Sequence, residues 1–183
     1  MNRNHTHHVH VRAVVPFRAA RLPEPVIVQP DPDDSLALHE LMAASVPAAY
    51  HALVAPSLTQ AIRDPDGDEQ LLLARDRPGG AVTGFVLFGI VPGTLGAGRV
   101  RAVAVAPLAR RRGVGRSLLI AALHVLDGRG AQFALVELPD EPLMRFLSAL
   151  LDACGFSEES RAVDLVRDGV AMRYLRREFA GHS

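Results

Sequence analysis

The chain has 183 residues, 49% of them hydrophobic, which is enough for one folded domain with a single core. Its 20 basic residues, all arginine, balance 20 acidic ones, and the resulting net charge of zero argues against a general nucleic-acid binder. The single cysteine, Cys154, excludes an internal disulfide, and no apolar run forms a signal segment or reaches the roughly 18 residues of a membrane span, so we expect a cytoplasmic protein.

Residues 1–25 differ in composition from the rest of the chain, with histidines at His5, His7, His8 and His10 and no acid before Glu24. The histidines are scattered and no carboxylate or cysteine joins them, so a metal site is not the favoured interpretation. We expect residues 1–25 to form a mobile or extended arm, residues 26–179 to form a single domain, and residues 180–183 to form a tail.

The folded part is predicted to begin with a short strand, Val26–Pro30. An amphipathic helix follows, with Asp33 or Asp34 as its cap and Pro47 as its end. A second short helix is predicted over Pro56–Asp64.

Three strand-like segments follow, joined by short turns: EQLLLARD from Glu69, AVTGFVLFGIVP from Ala81 and RVRAVAVA from Arg99. This spacing predicts an antiparallel meander. After Pro107 the pattern becomes helical over Gly113–Asp127, with Gly128 as the predicted stop.

The remaining elements are a strand (FALVEL, from Phe133), a helix over Pro142–Ala153 stopped by Gly155, and two strands around a turn at residues 167–169. The order is therefore β-α-α-β-β-β-α-β-α-β-β. It predicts an α/β (α+β) fold with a mixed, mostly antiparallel sheet of about seven strands and helices on both faces.

The junction between the third strand of the meander and the next helix reads RRRGVGRS. The first N–H groups of a helix have no intrahelical acceptor and carry partial positive charge, and glycines let an anion approach them closely. The junction therefore predicts a phosphate-binding turn, formed by the glycines Gly113 and Gly115 with Arg110, Arg111, Arg112, Arg116 and Ser117 around them. A solvated basic turn is the alternative.

Two familiar phosphate-binding motifs fit this junction poorly. A Walker-type loop needs a lysine, and the chain has none. A dinucleotide-binding fingerprint needs a third glycine where Leu118 stands, although Glu137 at the end of the next strand could bind a ribose. That fold also lies within repeated βαβ units, whereas a meander precedes this junction, so a dinucleotide-binding protein stays an alternative.

The segment VAVAPLARRRGVG resembles the acetyl-CoA-binding motif V-x-V-x-P-x-x-[RQ]-x-x-G-x-[GA] of the GCN5-related N-acetyltransferase (GNAT) family. The matching positions are Val103, Val105, Pro107, Arg110, Gly113 and Gly115. The segment ACGF, Ala153 to Phe156, resembles the family's turn before its sixth strand, and the order of elements agrees over about Val26 to Phe179.

The resemblance implies that the strands on either side of the motif helix diverge and that the pantetheine arm of acetyl-CoA lies between them. Backbone groups of Val103, Ala104 and Val105 would bind that arm, and the Val105 N–H would face the thioester oxygen. The pyrophosphate would rest on backbone N–H groups of Arg110, Arg111, Arg112, Gly113, Val114, Gly115, Arg116 and Ser117. A primary amine of a small molecule or peptide would attack the thioester directly, with no metal, in a monomer or homodimer.

Two positions depart from the family pattern. Leu151 stands where many members have a tyrosine that protonates the leaving thiolate, and Met144 stands where an asparagine is common. A CoA-binding module with little or no catalysis is therefore an alternative. A thiol with a pKa near ~8.5 leaves tolerably without help, and a general acid contributes about 10²–10⁴-fold, so we expect slower transfer rather than none.

Fewer residues point to the site of the acceptor, the amine that would receive the acetyl group. Glu137 resembles a catalytic glutamate of the ribosomal-protein N-terminal acetyltransferases and is the candidate base, the alternative being an ion pair with an arginine. Tyr50 and His51 lie in the segment that lines the acceptor site in this family and are candidate substrate contacts. Arg99 and Arg101 occupy the strand on which other members often carry an acid.

Overall fold

The computed structural model describes residues 24–165 and 168–180 and contains a seven-stranded sheet with helices on both faces. The strands are β1 (Val26–Val28), β2 (Glu69–Arg75), β3 (Val82–Ile90), β4 (Ala97–Val105), β5 (Phe133–Pro139), β6 (Ser157–Val163) and β7 (Ala171–Glu178). The helices are α1 (Ser35–Ser45), α2 (His51–Arg63), α3 (Val114–Gly128) and α4 (Arg145–Ala153). The predicted order of elements and the predicted fold class are confirmed.

The strands lie in the order β1-β2-β3-β4-β5-β7-β6. Every neighbouring pair is antiparallel except β4 and β5, which are parallel. The exception follows from the connection, because α3 carries the chain from the end of β4 back to the start of β5. The sheet is therefore mixed at one place only, in its centre.

Two apolar cores lie on opposite faces of this sheet. The first contains α3 and Leu151 of α4, and strand residues such as Val86 and Phe88. The second contains α1 and α2, and the intervening strand residues Phe85 and Leu87. The alternation of side chains along β3 thus divides one continuous apolar run between two helical layers.

The carboxyl-terminal ends of α3 and α4 have the same geometry. The Gly130 N–H donates to Asp127 O at 2.9 Å and the Ala131 N–H donates to Leu126 O at 3.0 Å, with Gly130 at φ +82°. This left-handed glycine closes the helix, so the predicted stop at Gly128 was wrong by two residues, and Gly128 is the last residue of α3. At α4 the left-handed residue is Gly155, at φ +84°, as predicted.

The first two helices begin differently from the prediction. Asp31, not Asp33 or Asp34, is the cap of a short 3₁₀ turn that leads into α1, while Asp34 is buried and binds Arg75 at 2.6 Å. The end of α1 before Pro47 is as predicted, because Val46 is extended. Pro56 lies inside α2 and does not start it, since the buried residues of this helix extend to both sides of the proline.

Some predicted features fall outside the described residues: the arm with His5, His7, His8 and His10, and Arg167 of the last turn. The single domain over residues 26–179 stays a prediction. Within residues 24–165 and 168–180, no helix has both the length and the apolar character needed to cross a bilayer.

Leu151 should be essential for stability, because its side chain is fully buried in the first core. We expect Leu151→Ala to lower the free energy of unfolding by about 2–5 kcal/mol, measured by chemical denaturation. Leu143, 75% exposed in the turn before α4, provides the control, and Leu143→Ala should change stability by less than about 0.5 kcal/mol. Equal losses in the two variants would contradict the assignment of Leu151 to the core.

Candidate functional site

A wedge-shaped gap opens between β4 and β5. The two strands pair only from Ala97 with Phe133 to Val100 with Val136. Beyond that point β4 stays paired with β3 as far as Val105, and β5 stays paired with β7 as far as Pro139. Each strand therefore turns an unpaired edge toward the other, and the gap can accept an extended chain in the way that a sheet accepts another strand.

A β-bulge lies at the point where the gap opens. In the β3–β4 ladder Phe88 pairs with Val100 and Leu87 pairs with Ala102, which leaves Arg101 without a residue opposite. The Arg101 side chain is held on β2, where its Nε–H donates to Glu69 Oε1 at 3.1 Å. Because a bulge bends its strand and increases the local twist, it accounts for the divergence of β4 from β5.

The unpaired edge of β4 presents backbone groups of Val103 and Val105 to the gap. The Ala106 N–H donates to Thr83 O of the β3 side at 2.9 Å, so the N–H of Val105 points the other way. The same alternation directs Val103 into the gap and Ala104 toward β3, where it pairs with Phe85. The Val105 carbonyl accepts a hydrogen bond from Arg110 Nε at 3.0 Å.

The turn between β4 and α3 is built to expose backbone N–H groups. Arg111 and Gly113 both have left-handed conformations, at φ +62° and +82°. No hydrogen bond from the N–H groups of Val114, Gly115 and Arg116 to another described residue is present, as expected for the first turn of a helix. Alternating left- and right-handed residues before a helix form a concave anion site.

Two backbone N–H groups of the predicted phosphate-binding turn already donate hydrogen bonds within the protein. The Arg110 N–H donates to Pro107 O at 3.3 Å, and the Ser117 N–H donates to Gly113 O at 3.0 Å. Fewer backbone N–H groups are therefore free to bind an anion than the predicted stretch from Arg110 to Ser117 contains.

Gly115 lies where α3 meets α4 and β4. A Cβ atom at this position would be 3.3 Å from Leu150 Cδ2 and 3.5 Å from Val105 Cγ2. A side chain at Gly115 would consequently fill the space at the end of the gap. Gly113 has open space around it, so its glycine serves the left-handed backbone.

Glu137 follows Val136, where the β4–β5 pairing stops and the gap has its closed end; the mouth is at the other end, near Val105. Glu137 lies on the face of the sheet opposite α3 and α4. Its neighbours Val136 and Leu138 belong to the first core, so alternation directs Glu137 to the other side, beside Tyr174 of β7. Glu137 Oε1 is 3.4 Å from Arg99 Nη2, and the two side chains are 45% and 32% exposed. The predicted base is thus accessible and has an arginine partner.

Tyr50 and His51 make contacts inside the protein. Tyr50 is buried, and its hydroxyl donates to Glu141 Oε1 at 2.9 Å, which joins the α1–α2 connection to the segment after β5. His51 Nε2 donates to Val46 O at 2.7 Å. The sequence does not reveal this hydrogen bond between Tyr50 and Glu141, because the two residues are 91 positions apart in the chain.

Leu151 and Met144, which stand where many family members have a tyrosine and an asparagine, both lie in apolar surroundings. Leu151 is fully buried in the first core, and Met144 packs against the same core. Neither side chain can donate a proton to a leaving group.

A cavity of about 210 Å³ lies between the end of β5 and α4, with Asp140, Met144 and Ser148 in its lining. Asp140 binds Arg161 at 2.7 Å. The pKa of Glu158 lies below its ordinary value because side-chain hydrogen bonds from Arg161, and then from Arg173, favour its ionised form. Of the charged residues in this lining, Asp140 is paired with Arg161 and Arg173 with Glu158. Among the described residues, no group of three or more His, Cys, Asp or Glu side chains is arranged to bind a metal.

A divergent strand pair with an exposed helix amino terminus at its mouth defines a protein that can bind an extended, phosphate-bearing molecule. The sequence model of the Acetyltransferase (GNAT) family matches residues 36–151, more than half of the chain. The chain belongs to this family of acetyltransferases. A search of curated proteins gave no match.

Solved structures agree with this fold. A candidate GNAT-family acetyltransferase from Desulfovibrio desulfuricans has a TM-score of 0.75 and 19% identity over 85% of this chain and 99% of its own. A candidate acetyltransferase from Salmonella typhimurium, solved with its cofactor acetyl-CoA, has a TM-score of 0.68 and 16% identity over 88% and 97%. PaiA N-acetyltransferase from Thermoplasma acidophilum, solved with coenzyme A, has a TM-score of 0.66 and 13% identity over 86% and 100%. At these identities the likeness establishes the fold.

Gly115→Val should weaken acetyl-CoA binding by about tenfold or more, because the added methyl groups would crowd the approach to the free N–H groups of α3. Isothermal titration gives the dissociation constant, and a melting curve checks that the variant is folded. Gly128→Val is the matched control at the other end of the same helix, where a Cβ atom has no neighbour within 4 Å. A folded Gly115→Val protein with the parent affinity would remove the anion site from this turn.

Proposed function

We propose that this protein is an N-acetyltransferase that moves the acetyl group of acetyl-CoA directly to a primary amine in a ternary complex. The observation that supports this proposal most is the β4–β5 gap with the free N–H groups of α3 at its mouth, in a chain of the GNAT family. The solved relatives with acetyl-CoA and coenzyme A support the same cosubstrate.

Acetyl-CoA would be bound largely by backbone groups. The pantetheine arm would lie along β4 and bond to Val103 and Val105, where its amide would replace the Arg110 side chain at the Val105 carbonyl. The pyrophosphate would accept from the N–H groups of Val114, Gly115 and Arg116. The guanidinium groups of Arg111, Arg112 and Arg116 supply positive charge around it.

The reaction would form a nitrogen–carbon bond and break a carbon–sulfur bond. The amine attacks the thioester carbon, and a gap-facing backbone N–H of β4 stabilises the charge on the carbonyl oxygen. Val105 is the predicted donor, and Val103 presents the next gap-facing N–H, on the side nearer to Glu137. The CoA thiolate leaves without an acid from Leu151 or Met144, which its pKa near ~8.5 permits.

Glu137 would take the proton from the amine, directly or through a water. The other acids near the end of β5 have partners: Asp140 binds Arg161, and Glu141 accepts from Tyr50. Glu137 is half-exposed, and the longer contact with Arg99 is its one ion pair within the described part of the chain. It is therefore the carboxylate of this region with the most freedom to accept a proton.

A CoA-binding module without catalysis is the second candidate function, favoured by the apolar Leu151 and Met144. The dinucleotide-binding alternative has lost its support, because β3 and β4 are antiparallel and the chain is a GNAT member. The acceptor would be a small-molecule or peptide amine, and the protein would be a cytoplasmic monomer or homodimer.

Acetyl-CoA at ~100 times its dissociation constant should raise the free energy of unfolding by about 2.7 kcal/mol, whereas NAD should not change it. Release of the CoA thiol with a panel of amines then separates an enzyme from a binding module. Stabilisation by acetyl-CoA with no thiol release above the rate of hydrolysis would favour the module.

Glu137→Gln should lower kcat by about 10²-fold or more and leave acetyl-CoA affinity near the parent value, because it removes a base and keeps the shape. Activity should recover in part as the pH rises through the pKa of the amine, about 7.7–8.0 for an α-amino group, since the neutral amine needs no base. Glu40→Gln, at an exposed site on α1, is the control. A parent-like pH profile for Glu137→Gln would place the base elsewhere.

A further inference from the structure

One half of the sheet face that carries α1 and α2 has no helical cover in the second core. That core takes its strand residues from β2, β3 and β4. The same face of β5 and β7 presents Glu137 and, directly opposite it, Tyr174. Arg99 of β4 joins them, because its guanidinium contacts Glu137. Glu137 is exposed and Arg99 and Tyr174 are partly exposed, and this area borders the end of the gap where the β4–β5 pairing stops.

Three arginines belong to this area among the described residues, and they differ in how fully they are paired. Arg101 is bound by the Glu69 carboxylate through both Nε and Nη2. Arg176 also has a buried Nε–H without a hydrogen-bond partner among the described residues, but it binds Glu178 at 2.6 Å and lies over the Phe133 ring, 3.8 Å from its centre. Arg99 has one ion-pair contact, at 3.4 Å, and its buried Nε–H has no hydrogen-bond partner among the described residues.

The incomplete pairing of Arg99 leaves hydrogen-bonding capacity for an anion. A guanidinium binds a carboxylate through two parallel N–H groups, a geometry that its present contact with Glu137 does not use. An anionic group that approaches Arg99 from the open side can therefore displace or share that contact. Arg99 would in turn repel an acceptor that carries only positive charge.

The pair Arg99 and Glu137 is complementary to a zwitterion. Its opposite charges are 3.4 Å apart. In a free α-amino acid the amine and the carboxylate are on the same carbon, so their charges are similarly close. In a polyamine no anion is present, and in a peptide the amino-terminal amine and the carboxyl terminus are separated by the chain.

We propose that the acceptor of the acetyl group is a free α-amino acid, whose carboxylate binds Arg99 while its amine faces Glu137. This inference rests on the proposed acetyl transfer. The carboxylate takes over Arg99 and releases Glu137 from its ion pair. Glu137 then takes a proton from the amine, whose nitrogen forms the bond to the acetyl carbon as the carbon–sulfur bond breaks. The products are an N-acetyl amino acid and CoA.

The test compares common α-amino acids with their α-amides, which keep the amine and the side chain and lose the anion. For the best amino acid, the parent should have a kcat/KM at least about tenfold above that of its amide. Arg99→Ala should remove this preference, mainly by raising the KM of the acid. Arg99→Lys keeps the positive charge but lacks the two parallel N–H groups of the guanidinium, so it should retain more of the preference than Arg99→Ala does.

Arg63→Ala removes an exposed arginine at the end of α2 and should behave as the parent does. A parent that acetylates amides as well as acids, or an Arg99→Ala protein that keeps the preference, would overturn the inference and leave acetyl transfer standing.

Titration of amino acids into the CoA-loaded protein separates the inference from the proposed function. Binding that is lost in Arg99→Ala, without turnover of any amine, would support the amino-acid site and overturn acetyl transfer. With neither binding nor turnover of any amino acid, the amino-acid site is wrong, and turnover of other amines decides separately whether acetyl transfer stands.

Discussion

The early end of the β4–β5 pairing is the constraint on which the candidate site depends. Four residue pairs hold the strands together, and after Val100 and Val136 each strand follows its other neighbour. The divergence leaves Val103 and Val105 with backbone groups that no strand satisfies. An unpaired strand edge inside a sheet is normally a liability, because buried backbone groups need partners. Here an extended cosubstrate arm is the partner that fits.

The divergence is maintained by residues on both sides of it. The bulge at Arg101, held on β2 by Glu69, bends β4 where the gap opens. Helix α3 begins at Val114, after the turn that follows β4, so the free N–H groups of its first turn lie at the mouth of the gap. Tyr50 ties the α1–α2 connection to Glu141 after β5. These contacts fix the site before any ligand binds, so little ordering is left for binding to supply.

The same contacts explain the character of the acceptor side. Arg101, Asp140, Tyr50 and His51 are engaged in the protein's own structure. What remains open near the closed end of the gap is the loose pair of Arg99 and Glu137. A pair of opposite charges at half exposure has a small Coulomb energy in water, and a ligand with matching charges can replace it at little cost. The charge of the acceptor molecule is thus selected mainly at the Arg99–Glu137 pair.

The sequence by itself determined the features that depend on neighbouring residues: the order of elements, the glycine-containing turn before α3 and the stop at Gly155. It also carried the family motif, whose valines and glycines are read without knowledge of distant contacts. Only the tertiary structure decided that Asp31 caps the first turn, that Pro56 lies within α2, and that Gly130 ends α3. It likewise decided the bulge and the pairing of Arg99, Arg101, Tyr50 and Glu141. The reason is that these outcomes depend on burial and on partners brought together from distant parts of the chain, and no local pattern encodes them.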